Sequence, residues 1–380
     1  MDLELSVDES ALRDNVRAVL SGLCPKSVVR AVYDGAAPPA ELWDQIVALG
    51  WPSLAIEERH GGLGLGFVEL ALVAEELGRA VAPGPLLATT TQFAPAVREL
   101  GGDETSARFL SPVAATGSTG TLAVAERGQW TADAVQARAR WQGNRWIVDG
   151  AKSAVVDGAT ADEIVVLARS DEGLGAFVIP GAAVLATPRT VLDPTLPIAD
   201  VRLDAVAVDT DRVLAEPGSP HVEGAVERVL QEAAVAVAAM TAGACRHIFE
   251  TTLAYAKVRE QYGRPIGSFQ ALKHRLVEMY LAVERATALV YYAALAIAED
   301  ATDRATAAAA AKAAAGDCQR LLAEDGLQLH GGIGFTWEHD LHFSLKRAKA
   351  GDALFGGAVA QRAALAQLLG VRAAGVEEVA

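Results

Sequence analysis

Cysteine is scarce in this chain. Cys24, Cys245 and Cys318 lie far apart with no CxxC pair among them, which argues against a disulfide framework or a cysteine zinc site and points to a reducing compartment. Positive charge is also in short supply: 33 Lys and Arg face 48 Asp and Glu, a formal net charge of −15. A polyphosphate backbone is repelled by such a surface wherever basic side chains are not gathered locally. A nucleic-acid partner is therefore not expected, and any anionic ligand has to meet a local basic patch. No apolar run is long enough to cross a bilayer without interruption, and Met1-Asp2-Leu3-Glu4-Leu5 lacks the basic-then-apolar order of a secretory leader. The expectation is a soluble, cytoplasmic protein with no membrane partner. Aromatics make up 6% of the residues although hydrophobic residues make up 51%. The interior must then be built from Ala, Val and Leu, which suits close-packed helices.

At 380 residues the chain has room for two or three domains. Up to about residue 118 apolar residues recur at helical spacing over Ser10 to Leu23, Pro39 to Leu49 and Gly66 to Ala80, with Gly61-Gly62-Leu63-Gly64 and Pro83-Gly84-Pro85 as punctuation. From about Thr119 to Val213 the composition changes to short Val-rich runs, such as Leu122 to Ala125, Trp146 to Val148, Glu163 to Ala168 and Ala176 to Ile179. The turns Gln142-Gly143-Asn144 and Val156-Asp157-Gly158 suit hairpins. Helical periodicity returns from about Glu223, with an Ala-rich run from Ala301 to Ala315. Helices, then strands, then helices give segregated α and β domains, an α+β fold and not a βαβ winding.

Two segments carry chemistry. Tyr255-Ala256-Lys257-Val258-Arg259-Glu260-Gln261-Tyr262-Gly263-Arg264-Pro265-Ile266-Gly267-Ser268-Phe269-Gln270 begins as helix, with Tyr255, Arg259 and Tyr262 on one face. Gly263, Pro265 and Gly267 end that helix, and Ser268 suits the N-cap of a new one near Phe269. Such a break exposes backbone N–H groups beside two forked cations, Arg259 and Arg264, a pairing that suits a pyrophosphate. A surface turn with solvated charges is the other reading of the same residues. The second segment is Gln328-Leu329-His330-Gly331-Gly332-Ile333-Gly334-Phe335-Thr336-Trp337. Its glycines let backbone approach a flat ligand, and Thr336 suits the cap of a following helix. It does not complete GxGxxG, so a nicotinamide site is disfavoured.

Together these segments resemble the C-terminal domain of acyl-CoA dehydrogenases. Gly50-Trp51-Pro52, Glu57-Glu58-Arg59-His60-Gly61-Gly62-Leu63-Gly64 and Glu75-Glu76-Leu77-Gly78-Arg79 resemble the same family's N-terminal domain. The resemblance implies an N-terminal helical domain over 1–118, a middle β-barrel or sandwich domain over 119–222 and a C-terminal four-helix bundle over 223–380. It further implies FAD between the β domain and the last helices, and a tetramer in which a neighbouring subunit contacts the adenosine pyrophosphate. Carried onto this chain, those contacts fall to Arg259, Gln261, Tyr262, Ile266, Phe269 and Gln270, with Gln328 and Gly332 from the glycine turn. The implied reaction is α,β-dehydrogenation of an acyl-CoA or acyl-carrier thioester, with electrons passed to an electron-transfer flavoprotein.

The α proton requires a carboxylate base within hydrogen-bonding reach. Counting from Ala348-Lys349, the family's glutamate position holds Phe355; the other position the family uses, counted back from Tyr255, holds Ala233, with Glu232 beside it. Glu232 is the candidate base, although one residue turns a helix by about 100° and would move it off the required face; Asp352 is a lesser candidate. Ala154 and Val156 stand where relatives carry Trp and Thr against the flavin, and Ala123-Val124-Ala125-Glu126-Arg127-Gly128-Gln129-Trp130 replaces a Gly- and Ser-rich loop. Three functions follow: a complete dehydrogenase in a homotetramer, an incomplete subunit that completes the FAD site of an unlike dehydrogenase partner, or a flavin monooxygenase of the same fold. His330, His339 and His342 complete no recognised metal spacing, so no metal is expected. Arg275, Glu278, Glu284 and Arg285 read as intersubunit or surface pairs, and Cys245 as a small buried filler.

Overall fold

The computed structural model describes residues 4–371, so the first three and last nine residues of the expected outer domains lie outside the described residues. The first helix, α1 (Val7–Leu23), starts earlier than its periodicity indicates because Ser6 and Glu9 form a capping box. The Ser6 hydroxyl accepts from the Glu9 N–H at 3.2 Å and the Glu9 carboxylate accepts from the Ser6 N–H at 2.6 Å. There follow α2 (Lys26–Tyr33), α3 (Ala40–Ala48), α4 (Phe67–Ala80), the single turn α5 (Leu86–Ala88), α6 (Ala94–Leu100) and α7 (Asp103–Thr116). A π turn, Thr89–Phe93, joins α5 to α6.

Eight strands make the middle sheet: β1 (Gly120–Ala123), β2 (Arg138–Gln142), β3 (Arg145–Val156), β4 (Glu163–Arg169), β5 (Leu174–Pro180), β6 (Leu185–Pro188), β7 (Ile198–Val208) and β8 (Val213–Ala215). Their order is β6-β7-β3-β2-β4-β5-β8, with β1 pairing β4 in parallel. The Gly143-Asn144 turn closes a β2–β3 hairpin as its residues require. The turn at Asp157-Gly158 closes none. Its flanking strands pair elsewhere, β3 with β2 and β7, β4 with β1, β2 and β5. Turn chemistry fixes a bend but not which strands lie side by side.

The last region is helical: α8 (Val222–Val258), α9 (Gln270–Ala298), α10 (Arg304–His330), α11 (Leu341–Ala353) and α12 (Ala358–Leu368), with a small hairpin of β9 (Glu260–Gln261) and β10 (Arg264–Pro265) between α8 and α9. At 37 residues α8 runs about 55 Å. It crosses α4 nearly backbone to backbone. A Cβ on Gly78 would sit 1.9 Å from the Met240 carbonyl oxygen, and one on Gly243 would sit 1.8 Å from that of Glu75. The two glycines admit this approach, and alanines of α8, α9 and α10 fill the core around it. Helix α9 is long and apolar enough to cross a membrane by length and composition, contrary to the reading of the sequence; here half of its apolar window is buried inside the fold. Arg275 and Glu284 on α9 pair within the chain, with Asp325 at 2.5 Å and Arg246 at 3.0 Å.

One buried cation joins all three regions. Arg347 of α11, 1% exposed, donates to Asp193 at 2.5 Å, to the Thr195 hydroxyl and carbonyl at 2.6 and 3.1 Å, and to the Ala82 carbonyl at 3.1 Å. Tyr33 of α2 donates to the other Asp193 oxygen at 3.1 Å. Near this junction lies Asp157, 4% exposed, whose Oδ2 has no hydrogen-bond partner. Burial pushes its carboxyl up to about 7 from an ordinary 3.8, against the pull of the Arg347 charge. The folded protein thus holds a proton that the unfolded chain releases, and stability falls as pH rises from about 4 through about 7. A gap of this size is on the order of 4 kcal/mol between protonation states. Asp157→Asn is expected to flatten that limb and raise the melting temperature above neutral pH by several degrees, read by thermal unfolding across the pH range. An unchanged profile would remove Asp157 from the account.

Candidate functional site

A cleft of about 530 Å³ opens between the β domain and the last helices. Its α8 wall is the stripe Glu223, Glu227, Leu230, Gln231 and Ala234, positions that fall on one side of a 3.6-residue helix. Ala305, Ala308 and Ala309 of α10 form the opposite wall, α12 adds Gln361 and Ala364, and the loop Trp130–Asp133 closes the β side. The small side chains are what leave the volume open.

Phe355 projects into this cleft from the bend between α11 and α12, with φ at +53°. The bend is held from behind by Lys312, which donates to the Gly351 and Asp352 carbonyls at 3.0 Å each. Burial lowers that ammonium to about 8, opposed by the Asp352 charge. Asp352 is occupied too: its carboxylate accepts from the Ala358 N–H at 3.2 Å and pairs Lys349 at 3.1 Å. Across the cleft the Trp130 ring lies 6.2 Å from that of Phe355. The chain thus presents two aromatic rings to the cleft.

Glu232 does not line the cleft. At 2% exposed, it turns the other way, toward Arg98 at 2.6 Å and Arg304 at 2.9 Å, and its second oxygen is buried without a partner. Arg304 in turn donates to the Gln231 side-chain oxygen at 2.8 Å. On the β side, Ala154 adopts φ +54° at a bulge in β3, and Val156 is buried. Next to them Lys152 and Glu126 form a buried pair at 2.6 Å, and Glu126 also accepts from the Gln136 and Ala137 N–H groups. Burial lowers Lys152 to about 8, partly restored by Glu126. Gln231, Arg304 and Gln361 escaped sequence reasoning, since nothing local distinguishes them from any polar residue on a helix.

The cofactor candidates gather at the far end of α8. The helix stops at Val258, so Arg259 is its C-cap and Tyr262 is not on the helical face expected for it but at the tip of the β9–β10 hairpin. Tyr262 and Gly263, with φ +54° and +74°, form the mirror-type turn that suits a two-residue hairpin loop. Tyr262 is 92% exposed. Arg264 lies over the Phe269 ring at 4.2 Å, Ile266 is buried as the anchor, and the Ile266 N–H returns to the Arg259 carbonyl at 2.7 Å. Ser268 caps nothing: it lies in a 3₁₀ turn, and α9 starts at Gln270 with Phe269 at the N-cap. Thr336 likewise caps no helix; its hydroxyl donates to the Ile333 carbonyl at 2.9 Å and α11 begins at Leu341.

Gln328 and Gly332 are exposed at the end of α10, and a Cβ on Gly332 would meet nothing. Tyr255 stacks on His330 at 4.6 Å, which ties the hairpin end of α8 to the glycine turn. His342 stacks on Trp337, also at 4.6 Å. Among the described residues no carboxylate lies within ion-pair range of Arg259 or Arg264, on a chain where most arginines are paired. Two guanidinium groups without carboxylate partners on an acidic protein are suited to phosphate.

From Ala234 in the cleft to Arg259 at the hairpin is about 37 Å along α8, longer than an extended dinucleotide. The two ends of the helix cannot serve one ligand within one chain.

Comparison with known proteins agrees with this architecture. Residues 6–117 match the acyl-CoA dehydrogenase N-terminal domain and residues 224–370 the acyl-CoA dehydrogenase C-terminal domain. Acyl-CoA dehydrogenase IpdE2 of Mycobacterium tuberculosis is 30% identical over 343 residues, 90% of this chain and 91% of that protein. The ChsE4-ChsE5 complex of Mycobacterium tuberculosis superposes with a TM-score of 0.88 at 25% identity, covering 98% of this chain and 100% of that one. A steroid acyl-CoA dehydrogenase, Tcur3481-Tcur3483, superposes at 0.85 with 29% identity, covering 96% and 98%. The chain belongs to the acyl-CoA dehydrogenase family of oxidoreductases.

Proposed function

We propose that this chain is one subunit of a mixed FAD-dependent acyl-CoA dehydrogenase, completing the FAD site of an unlike partner that carries the α-proton base. The observation that carries the reading is the separation along α8: the Arg259–Arg264 hairpin, without carboxylate partners among the described residues, stands about 37 Å from a cleft into which Phe355 projects, where the family resemblance expects the base. A bound FAD would supply the acceptor for the β hydrogen of the thioester, taken as hydride. The residues of this chain hold and orient. Arg259 and Arg264 neutralise the pyrophosphate, Tyr262 and Phe269 offer aromatic surface, and Gln261, Gln270 and Gln328 supply amides. Gly332 leaves backbone bare for close approach, and buried Ile266 fixes the hairpin to the bundle. Glu232 serves in this reading as a structural anion between Arg98 and Arg304.

Two of the similar structures carry paired names, ChsE4-ChsE5 and Tcur3481-Tcur3483, which supports a mixed assembly here. The test is expression alone and together with a family member that has glutamate at the position of Phe355. Alone, the chain is expected to oxidise no acyl-CoA with an artificial acceptor; together, the pair co-purifies yellow and active. A yellow homotetramer that oxidises acyl-CoA unaided would sink the proposal.

A further inference from the structure

The cleft into which Phe355 projects is a built cavity, and its walls select by charge. Among the described residues no lysine or arginine lines it; the titratable ones that do are Asp133, Glu223 and Glu227, all exposed. The adjoining cation Arg169 is directed to Glu223 at 3.6 Å. A coenzyme A head group, carrying several negative charges, meets repulsion from these carboxylates.

Within the apolar walls two amides have fixed orientations. Arg304, 5% exposed, donates Nε to the Gln231 oxygen at 2.8 Å, while its Nη2 donates to Glu232 at 2.9 Å and to the Arg228 carbonyl at 3.0 Å. A guanidinium has no acceptor, so Gln231 must turn its oxygen to Arg304 and its NH₂ away from it. That NH₂ has no partner among the described residues. On the α12 wall Gln361 donates its Nε2 to the Phe355 carbonyl at 2.7 Å. Its oxygen is thereby left as an acceptor.

We infer that this cleft binds a neutral, largely apolar molecule bearing a carbonyl or hydroxyl oxygen, recognised by the side-chain NH₂ of Gln231. A ketone accepts from Gln231; a hydroxyl also donates to Gln361. Walls that, among the described residues, carry carboxylates but no cation suit a site that holds a neutral molecule and not a thioester's anionic head group. The inference rests on the reading that this chain's own cleft is not the dehydrogenation centre, and the two fail separately.

The experiment is isothermal titration of the assembled protein with camphor and with bornane, the hydrocarbon of the same skeleton, followed by octanoyl-CoA as competitor. Camphor is expected to bind about fivefold or more tightly than bornane, one hydrogen bond's difference. Gln231→Leu levels the pair, and octanoyl-CoA does not displace camphor. Ala364→Phe, which fills the cleft from α12 without touching the Arg304 network, abolishes camphor binding. Equal affinity for camphor and bornane, absence of camphor binding, a ketone preference that survives Gln231→Leu, binding that survives Ala364→Phe, or displacement by octanoyl-CoA would each overturn the inference. Oxidation of octanoyl-CoA by the chain alone would instead overturn the functional reading.

Discussion

An Arg347→Leu variant is expected to lose about 3–5 kcal/mol of unfolding free energy, the usual cost of stranding a buried charge. The stranded group is Asp193, buried and left, among the described residues, with Tyr33 and Thr195 as neutral donors. The Thr195 and Ala82 carbonyls lose their donor in the same step. Leucine fills the space of the side-chain stem but supplies no N–H. The loss is read by denaturant unfolding, with a shift of midpoint at constant slope. Removing both charges, as in Arg347→Leu with Asp193→Asn, should recover a large part of it, because two neutral groups pay less desolvation than one orphaned ion. A single variant as stable as the parent would show that the three regions do not depend on this junction.

Arg259→Ala is expected to strip FAD from the mixed assembly. A charge-assisted hydrogen bond to phosphate contributes about 1.5–3 kcal/mol, so retention should weaken by roughly 10- to 100-fold. Arg259→Lys keeps the charge but loses the fork, and falls between. Arg264→Ala acts in the same direction and also uncovers the Phe269 ring. Because these groups are exposed, rising salt should mimic the substitutions in part. The measurement is flavin released per protein after gel filtration, at low and high salt. Normal flavin content in Arg259→Ala, with assembly intact, would remove the pyrophosphate role.

The order of helices, strands and helices was legible because each region keeps its own periodicity, although α8 ends at Val258, ahead of Gly263, Pro265 and Gly267, which fall in the hairpin and the turn after it. What local pattern could not show is what lies opposite. Glu232 looked like a candidate base in an apolar run, yet its partners Arg98 and Arg304 are 134 and 72 residues away. Arg347 reaches Asp193 across 154 residues. The helical face given to Tyr262 failed for a nearer reason: a two-residue hairpin turn takes over four residues before its periodicity would end. Asp157-Gly158 reads as a hairpin turn, but β4 is buried on both faces and takes β1, β2 and β5 as neighbours while β3 pairs β2 and β7, so the turn does not choose the partners.

The glycine crossing of α4 and α8 leaves the long helix pinned near its middle, with no side chain between the two backbones to act as a cushion. A rod clamped there cannot slide. A load applied at one tip is taken up as bending on that side of the clamp, so the alanine-lined cleft and the Tyr262 tip keep a fixed spacing along the helix.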